Sequence, residues 1–167
     1  NSSAKLVKKN DVLYALYGAT SGEVSLSKIN GAINQAILAI IPSHSIKPEF
    51  IVYWLRKAKS KIISNYLQGG QGNLSAEIVK DLLVSLPNSD DTNEQTQIGQ
   101  FFQNLDQSIA MQEQKLAQTQ NLKQAMLEKM FPKAGSKQPE IRLKGFSGEW
   151  EIEFIGNVLQ EVLRPVN

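Results

Sequence analysis

The residues of this chain best placed to do chemistry are amides and hydroxyls set in or beside turns. Asn34 and Gln35 open an apolar stretch, Gln68, Gln71 and Asn73 border a glycine-rich turn, and Thr20 and Ser21 lie between the glycines of GATSG. Amide side chains pair bidentately with adenine in the major groove. Hydroxyls beside bare glycine backbone can donate to phosphates at close range. Each of these residues also has an ordinary explanation as turn chemistry, and composition alone ranks that explanation first.

Catalytic chemistry is poorly supplied. There are no cysteines, which excludes a disulfide framework, a Cys-based zinc site and a thiol nucleophile together. The one histidine, His44, lies between Ser43 and Ser45 in an expected loop, where a lone imidazole is ordinarily solvated. The GGQGN turn at 69–73 lacks the Lys-Ser/Thr pair of a phosphate-binding loop. Glu149, Glu151 and Glu153 alternate as an exposed acidic edge would. Nothing combines a nucleophile, a base and an orienting group.

Charge leans one way. The formal charge is +2, and the first 90 residues carry ten basic against six acidic side chains. That excess would favour a polyanionic partner, but on charge alone an ordinary solvated surface ranks first. The basic cluster Arg56–Lys61 is threaded by Trp54, Leu55, Ala58 and Ile62 at helical spacing, so it reads as the wet side of an amphipathic helix. No apolar run approaches the ~20 residues that span a bilayer, and no signal peptide is visible, so a cytoplasmic location is expected. The first residue is Asn1 rather than Met, which points to a trimmed piece of a longer chain.

The elements that must position these groups can be read in order. Residues 11–17 form a β-prone run closed by Gly18; GATSG is a turn with Gly18 and Gly22 free to take positive φ; residues 23–29 alternate as a half-buried strand. Residues 32–41 suit a strand buried on both faces, with a helix as the alternative, and Pro42 ends them. Pro48 starts a helix whose apolar stripe runs to Leu67. After GGQGN, Ser75 caps a short helix that buries Ile78 and Val79, and residues 82–86 read as a last strand before Pro87. This first part is therefore α+β.

Beyond the polar linker 88–94 lies the strongest pattern in the chain. Ile98, Phe102, Leu105, Ile109, Gln112, Leu116, Thr119, Lys123, Met126 and Met130 recur in steps of four and three until Pro132. A helix of nearly forty residues is roughly 55 Å long at 1.5 Å per residue, too long to bury its stripe on a small domain. It calls for a partner helix, as in a coiled coil, and polar seam residues then fix register and partner choice. The alternative is a helix folded back as a hairpin, but no Gly or Pro interrupts residues 100–131. KAGSKQ (133–138) is a flexible connector, and the remaining thirty or so residues, with Phe146 and Trp150 about a Ser-Gly turn, are too few for a core.

Taken in order, KKNDVLYALYGATSGEVSL, INGAINQAILAI, KPEFIVYWL, QGGQGNLSAEIVKDLLVSLP, NEQTQIGQFFQNLDQSIAMQEQKLAQTQNLKQAMLEKMF and PEIRLKGFSGEWE resemble the specificity subunit of type I restriction–modification systems over nearly the whole chain. The most specific parts are the long EQ…IG…LD helix and the G…NLS segment before it. The resemblance implies two target-recognition domains in a full subunit, each reading half of a split DNA site, held apart by two antiparallel helices on which methyltransferase subunits dock. It implies no catalysis in this chain: S-adenosylmethionine and ATP belong to the partner subunits, and restriction subunits join through the methyltransferase. On that pattern residues 1–90 correspond to the C-terminal half of a recognition domain, 91–132 to the spacer helix, and 133–167 to a linker and the start of the next recognition domain.

The resemblance also sharpens the candidate residues. Thr20, Ser21, Lys28, Asn34 and Gln35 become the expected DNA contacts, with Lys8 and Lys9 on phosphates and Gln71 in support. Ile98, Phe102, Leu105, Ile109, Leu116, Met126 and Met130 become the helix partner face, and Phe101 and Leu122 beside it are placed to meet a methyltransferase subunit. The absent half-domain and second helix leave room for two copies to pair through the helix. The rival expectations are a pure dimerisation module without DNA reading and the recognition end of a fused restriction–methylation enzyme.

Overall fold

The structure, a computed structural model, describes residues 4–67, 73–87 and 92–159. The chain divides into two compact units, residues 1–108 and 109–167.

The first unit is built around strand β2 (Val12–Ala15), which lies between β3 (Val24–Leu26) and β5 (Ile37–Ile40), both antiparallel to it. Val12 faces Leu26 and Ile40 across the sheet; Tyr14 faces Val24 and Leu38. Alternation sends Val12, Tyr14 and Leu16 to one side, where they meet Val52, Leu55 and Ile62 of helix α1 (Pro48–Tyr66). Burying these side chains is the main stabilising term of the unit. A second pair, β1 (Lys5–Val7) with β4 (Gly31–Ile33), is antiparallel and separate.

The turn from β2 to β3 needs its glycines. A 3-10 turn at Gly18–Thr20 brings the chain round, and Gly18 and Gly22 have φ of 70° and 80°. Those values suit a residue without a Cβ. A Cβ on Gly22 would also stand 3.1 Å from Lys59 of α1. Helix α1 starts at Pro48, and α2 (Ala76–Lys80) is capped by Ser75, whose hydroxyl accepts the Ile78 N–H at 3.2 Å.

Two expected elements differ. Residues 32–41 are neither one strand nor a helix. Asn34 Oδ1 accepts the Ala36 N–H, and this turn divides the run into β4 and β5, which belong to different sheets. Strand β5 is an edge with only β2 beside it, so it is half-buried: Leu38 and Ile40 pack against the core cluster. Residues 82–86 form no strand. Leu82 reaches the core cluster along α1, whereas Leu83 is 94% exposed, and extended chain without a ladder partner is not a stable strand.

Helix α3 (Thr92–Met130) is unbroken for 39 residues, as its periodicity predicts. The second unit holds its last turns and residues 131–159. Here the Ile141 N–H donates to the Lys129 carbonyl, Phe131 meets Trp150 edge to face at 5.8 Å, Arg142 sits over Trp150, and Lys133 pairs with Glu140. No strand occurs among 131–159; a short helix α4 (Ile155–Val158) is the only further element among them. Glu149, Glu151 and Glu153 therefore do not lie on a strand.

Leu55 is 3% exposed between sheet and helix. Leu55→Ala should lower unfolding stability by about 3 kcal/mol, a cavity effect read as a reduced urea midpoint at unchanged slope.

Candidate nucleic-acid interface and partner helix

The topology sorts the candidate contacts into two groups. At the Ala15 end of β2, the Leu16 N–H donates to the Ala36 carbonyl, and the Leu74 N–H donates to the Leu16 carbonyl. The turns bearing Thr20, Asn34, Gln35 and Asn73 therefore border one end of the sheet, where all four are exposed. Thr20 donates its hydroxyl to the Tyr17 carbonyl at 3.4 Å, and Asn34 holds its own turn. Gln35 beside it is exposed. Gln68 and Gln71, with most of GGQGN, lie outside the described residues.

Ser21 does not belong in this group. It is 5% exposed, and its hydroxyl donates to the Leu16 carbonyl at 3.1 Å. A hydroxyl spent inside the turn is unavailable to a phosphate, so Ser21 is a turn-forming residue.

At the opposite end of β2, Asn10 N–H donates to Ser27 and Ser27 N–H donates to Asp11. Side-chain oxygens fix the same loop: Asp11 accepts the Lys8 N–H at 2.7 Å and Asn30 accepts the Lys9 N–H at 2.8 Å. Asn10 takes the left-handed conformation with φ of 74°, which Asn tolerates better than most residues. Lys8, Lys9 and Lys28 are exposed here. Lys9, Lys28 and Arg56 line a groove of about 440 Å³ with Asn10, Tyr53 and Gln103. The Arg56 guanidinium is engaged, 5.0 Å over the Tyr53 ring and 2.6 Å from Asp106, so Lys9 and Lys28 carry the outward charge.

Helix α3 presents two faces. Gln95 is fully buried: its Oε1 accepts the Lys47 N–H at 3.0 Å and its Nε2 donates to the Ser45 carbonyl at 3.1 Å. A turn later, a Cβ on Gly99 would stand 2.8 Å from that of Glu49. Phe102 lies 5.1 Å from the Tyr53 ring, and Asp106 accepts from Tyr53 Oη at 2.9 Å and from Arg56. Burial alone would raise the Asp106 pKa, but the hydrogen bonds from Arg56 and Tyr53 outweigh it and hold the carboxyl below its ordinary value. Burial, then the bond to Asp106, raises the Tyr53 phenol.

These docking positions recur in steps of four, three and four, just as the seam does, but all except Phe102 are polar or small, and counting apolar residues passes over Gln95, Gly99 and Asp106. At about 100° per residue the docking face lies roughly a quarter turn from the seam, with Phe102 on the border of both. The seam is accordingly left open. Leu105, Ile109 and Leu116 are 43%, 56% and 59% exposed. Phe101 and Leu122 beside it are also exposed. Thr119 donates its hydroxyl to the Lys115 carbonyl, which satisfies it within the helix.

Three seam residues are placed differently from the rest. Ile98 and Phe102 line a cavity of about 510 Å³ with Phe50, Trp54 and Lys57 of α1. Met130 lines a smaller one with Ile141, Leu143, Phe146 and Trp150, so it faces the chain that follows the helix. Met126 is half-buried.

The family model for the type I restriction modification DNA specificity domain matches residues 1–121. The chain belongs to that family. Its fold is shared with three solved structures. One comes from a study of complex assembly and conformational transition in the type I R-M system, with TM-score 0.59, 22% identity, and coverage of 75% of this chain and 31% of that one. The type I restriction-modification S subunit of M. genitalium gives TM-score 0.58 and 18% identity over 76% of this chain and 34% of that one. The HsdS subunit of Thermoanaerobacter tengcongensis gives 0.54 and 19% over 76% and 30%. The chain thus spans about a third of the length of each. The α+β fold with its long helix is the one the sequence predicts. Among the described residues no helix is long and apolar enough to cross a membrane.

Gly99 gives the sharpest test of the docking face. Gly→Ala inside an open helix stabilises by about 1 kcal/mol. Here the added methyl would overpack against Glu49, a cost of about 1–3 kcal/mol. Gly99→Ala should therefore lower the denaturation midpoint; a raised midpoint would mean that the close approach does not exist.

Proposed function

We propose that this chain is the DNA-contacting and spacing part of a type I restriction–modification specificity subunit, itself non-catalytic and acting in the cytoplasm. The observation that carries the reading is the family match over residues 1–121, which takes in the sheet, α1 and most of α3. The turn end of the sheet, with Thr20, Asn34 and Gln35, supplies groups able to reach base edges and backbone; Gln71 belongs to the same proposal. Lys8, Lys9 and Lys28 at the other end supply charge for phosphates, which positions the module without reading sequence. Each such module reads half of a split site in double-stranded DNA. S-adenosylmethionine and ATP are handled by partner subunits.

The helix does the spacing. Its seam takes a second helix, either from the rest of the subunit or from another copy of this chain, and methyltransferase subunits dock on the resulting framework with Phe101 and Leu122 at its flank. Restriction subunits join through them. A second reading, a dimerisation module without DNA reading, draws on the same open seam at Leu105, Ile109 and Leu116. Salt-dependent DNA binding in the presence of methyltransferase subunit separates the two, since dimerisation alone gives none.

In the assembled complex, Lys28→Ala should weaken DNA binding and reduce the slope of log affinity against log salt by about one unit. An unchanged slope would remove Lys28 from the phosphate contacts. Leu105→Asp or Ile109→Asp buries an unpaired charge in any helix pair, at a cost of several kcal/mol. Either variant should lose the assembly in sedimentation, and full assembly at wild-type concentration would contradict the seam.

A further inference from the structure

The contacts between α1 and α3 form one line that ends at Asp106. Gln95 grips residues 45 and 47, Gly99 closes on Glu49, Phe102 meets Tyr53, and Asp106 accepts from both Tyr53 and Arg56 on a single oxygen, Oδ2. The helix continues for 24 residues beyond that point. The first two contacts are short and buried and act as a pivot. The last lies about 10 Å further along the helix, at 1.5 Å per residue, so it has the longest lever against rotation about that pivot.

We infer that Asp106 is a positioning residue: its carboxylate, held by the Arg56 guanidinium and the Tyr53 phenol, sets the angle at which the long helix leaves the recognition module. Both charged groups are about half exposed, at 43% and 50%, and exposed ion pairs add little to stability. The value of this pair is directional. Arg56 is pre-set by stacking on Tyr53, Tyr53 is held against Phe102, and the carboxylate takes two donors that arrive from different side chains of α1. Losing it frees the angle while the pivot survives. Swinging the helix by about 10° about Gly99 would carry its far end, 31 residues away at about 1.5 Å each, through roughly 8 Å. That is more than two base-pair steps at about 3.4 Å. The consequence for a spacing device rests on the proposed function; the clamp itself does not.

The chain lacks cysteine, so Ser60→Cys on α1 and Gln118→Cys on α3, both exposed positions, take spin labels cleanly. Labelled full chain is diluted into unlabelled chain, and the distribution of distances between the two labels is measured by pulsed electron resonance. With Asp106 intact the distribution should be narrow. With Asp106→Ala its width should at least double, Arg56→Met should widen it comparably, and Tyr53→Phe should give a smaller increase. A wild-type width in Asp106→Ala overturns the inference, including when the melting midpoint falls, since that would mark a residue that only stabilises. The measurement needs neither DNA nor a companion subunit, so it fails or succeeds independently of the functional reading.

Discussion

One helix here is held on one face by its own unit and left open on another. α3 is 39 residues long, and the unit it starts in can cover only its first four turns. Had those turns used the apolar seam, nothing would remain in register for a second helix. They use a polar and small-residue face instead: an amide with both ends satisfied, a glycine pressed against Glu49, and a carboxylate pinned by Arg56. Hydrogen bonds and close backbone approach provide most of the attachment, and of the seam only Ile98 and Phe102 are turned to α1. Leu105, Ile109 and Leu116 stay exposed as a result. An open apolar ridge of this length is ordinarily a mark of an interaction surface.

The sheet and α1 serve this arrangement. β2 is central, its Val12 and Tyr14 are fully buried, and α1 lies across them through Val52, Leu55 and Ile62. One side of α1 is thereby fixed to the sheet and another is free to receive α3. The same sheet sends its turns to two ends. Thr20, Asn34, Gln35 and Asn73 gather at one, and Lys8, Lys9 and Lys28 at the other. A module that contacts DNA with both ends would separate the groups that touch bases from those that neutralise phosphate, and that division is how positioning and specificity are commonly apportioned.

Much of this was legible in the residues because strong local signals agreed. Pro48 and a broad apolar stripe defined α1, Ser75 marked the start of α2, and the glycines of GATSG adopt the positive φ expected of them. The uninterrupted four-three rhythm gave α3 nearly to the residue. What was missed depended on tertiary choices. The apolar run 32–41 splits because Asn34 closes a turn, which a residue count cannot distinguish from a strand with a polar start. Residues 82–86 have strand-like composition but no ladder partner, and only Leu82 reaches the core beside α1. Ser21 resembles a phosphate donor in sequence, but its hydroxyl is held inside the turn. Gln95, Gly99 and Asp106 went unread because hydrophobic patterning is blind to an interface made of amide, glycine and carboxylate.

The central claim, that α3 is covered on one face by its own module and open on the other for a partner, is tested most directly by amide hydrogen exchange along residues 92–130. In dilute chain alone, strong protection should be confined to about residues 92–108, with faster exchange across 109–125. Once the chain is assembled with the proposed companion helix and methyltransferase subunit, the slow zone should extend through 109–125. Uniform protection of the whole helix in the dilute chain, or no change on assembly, would contradict the account.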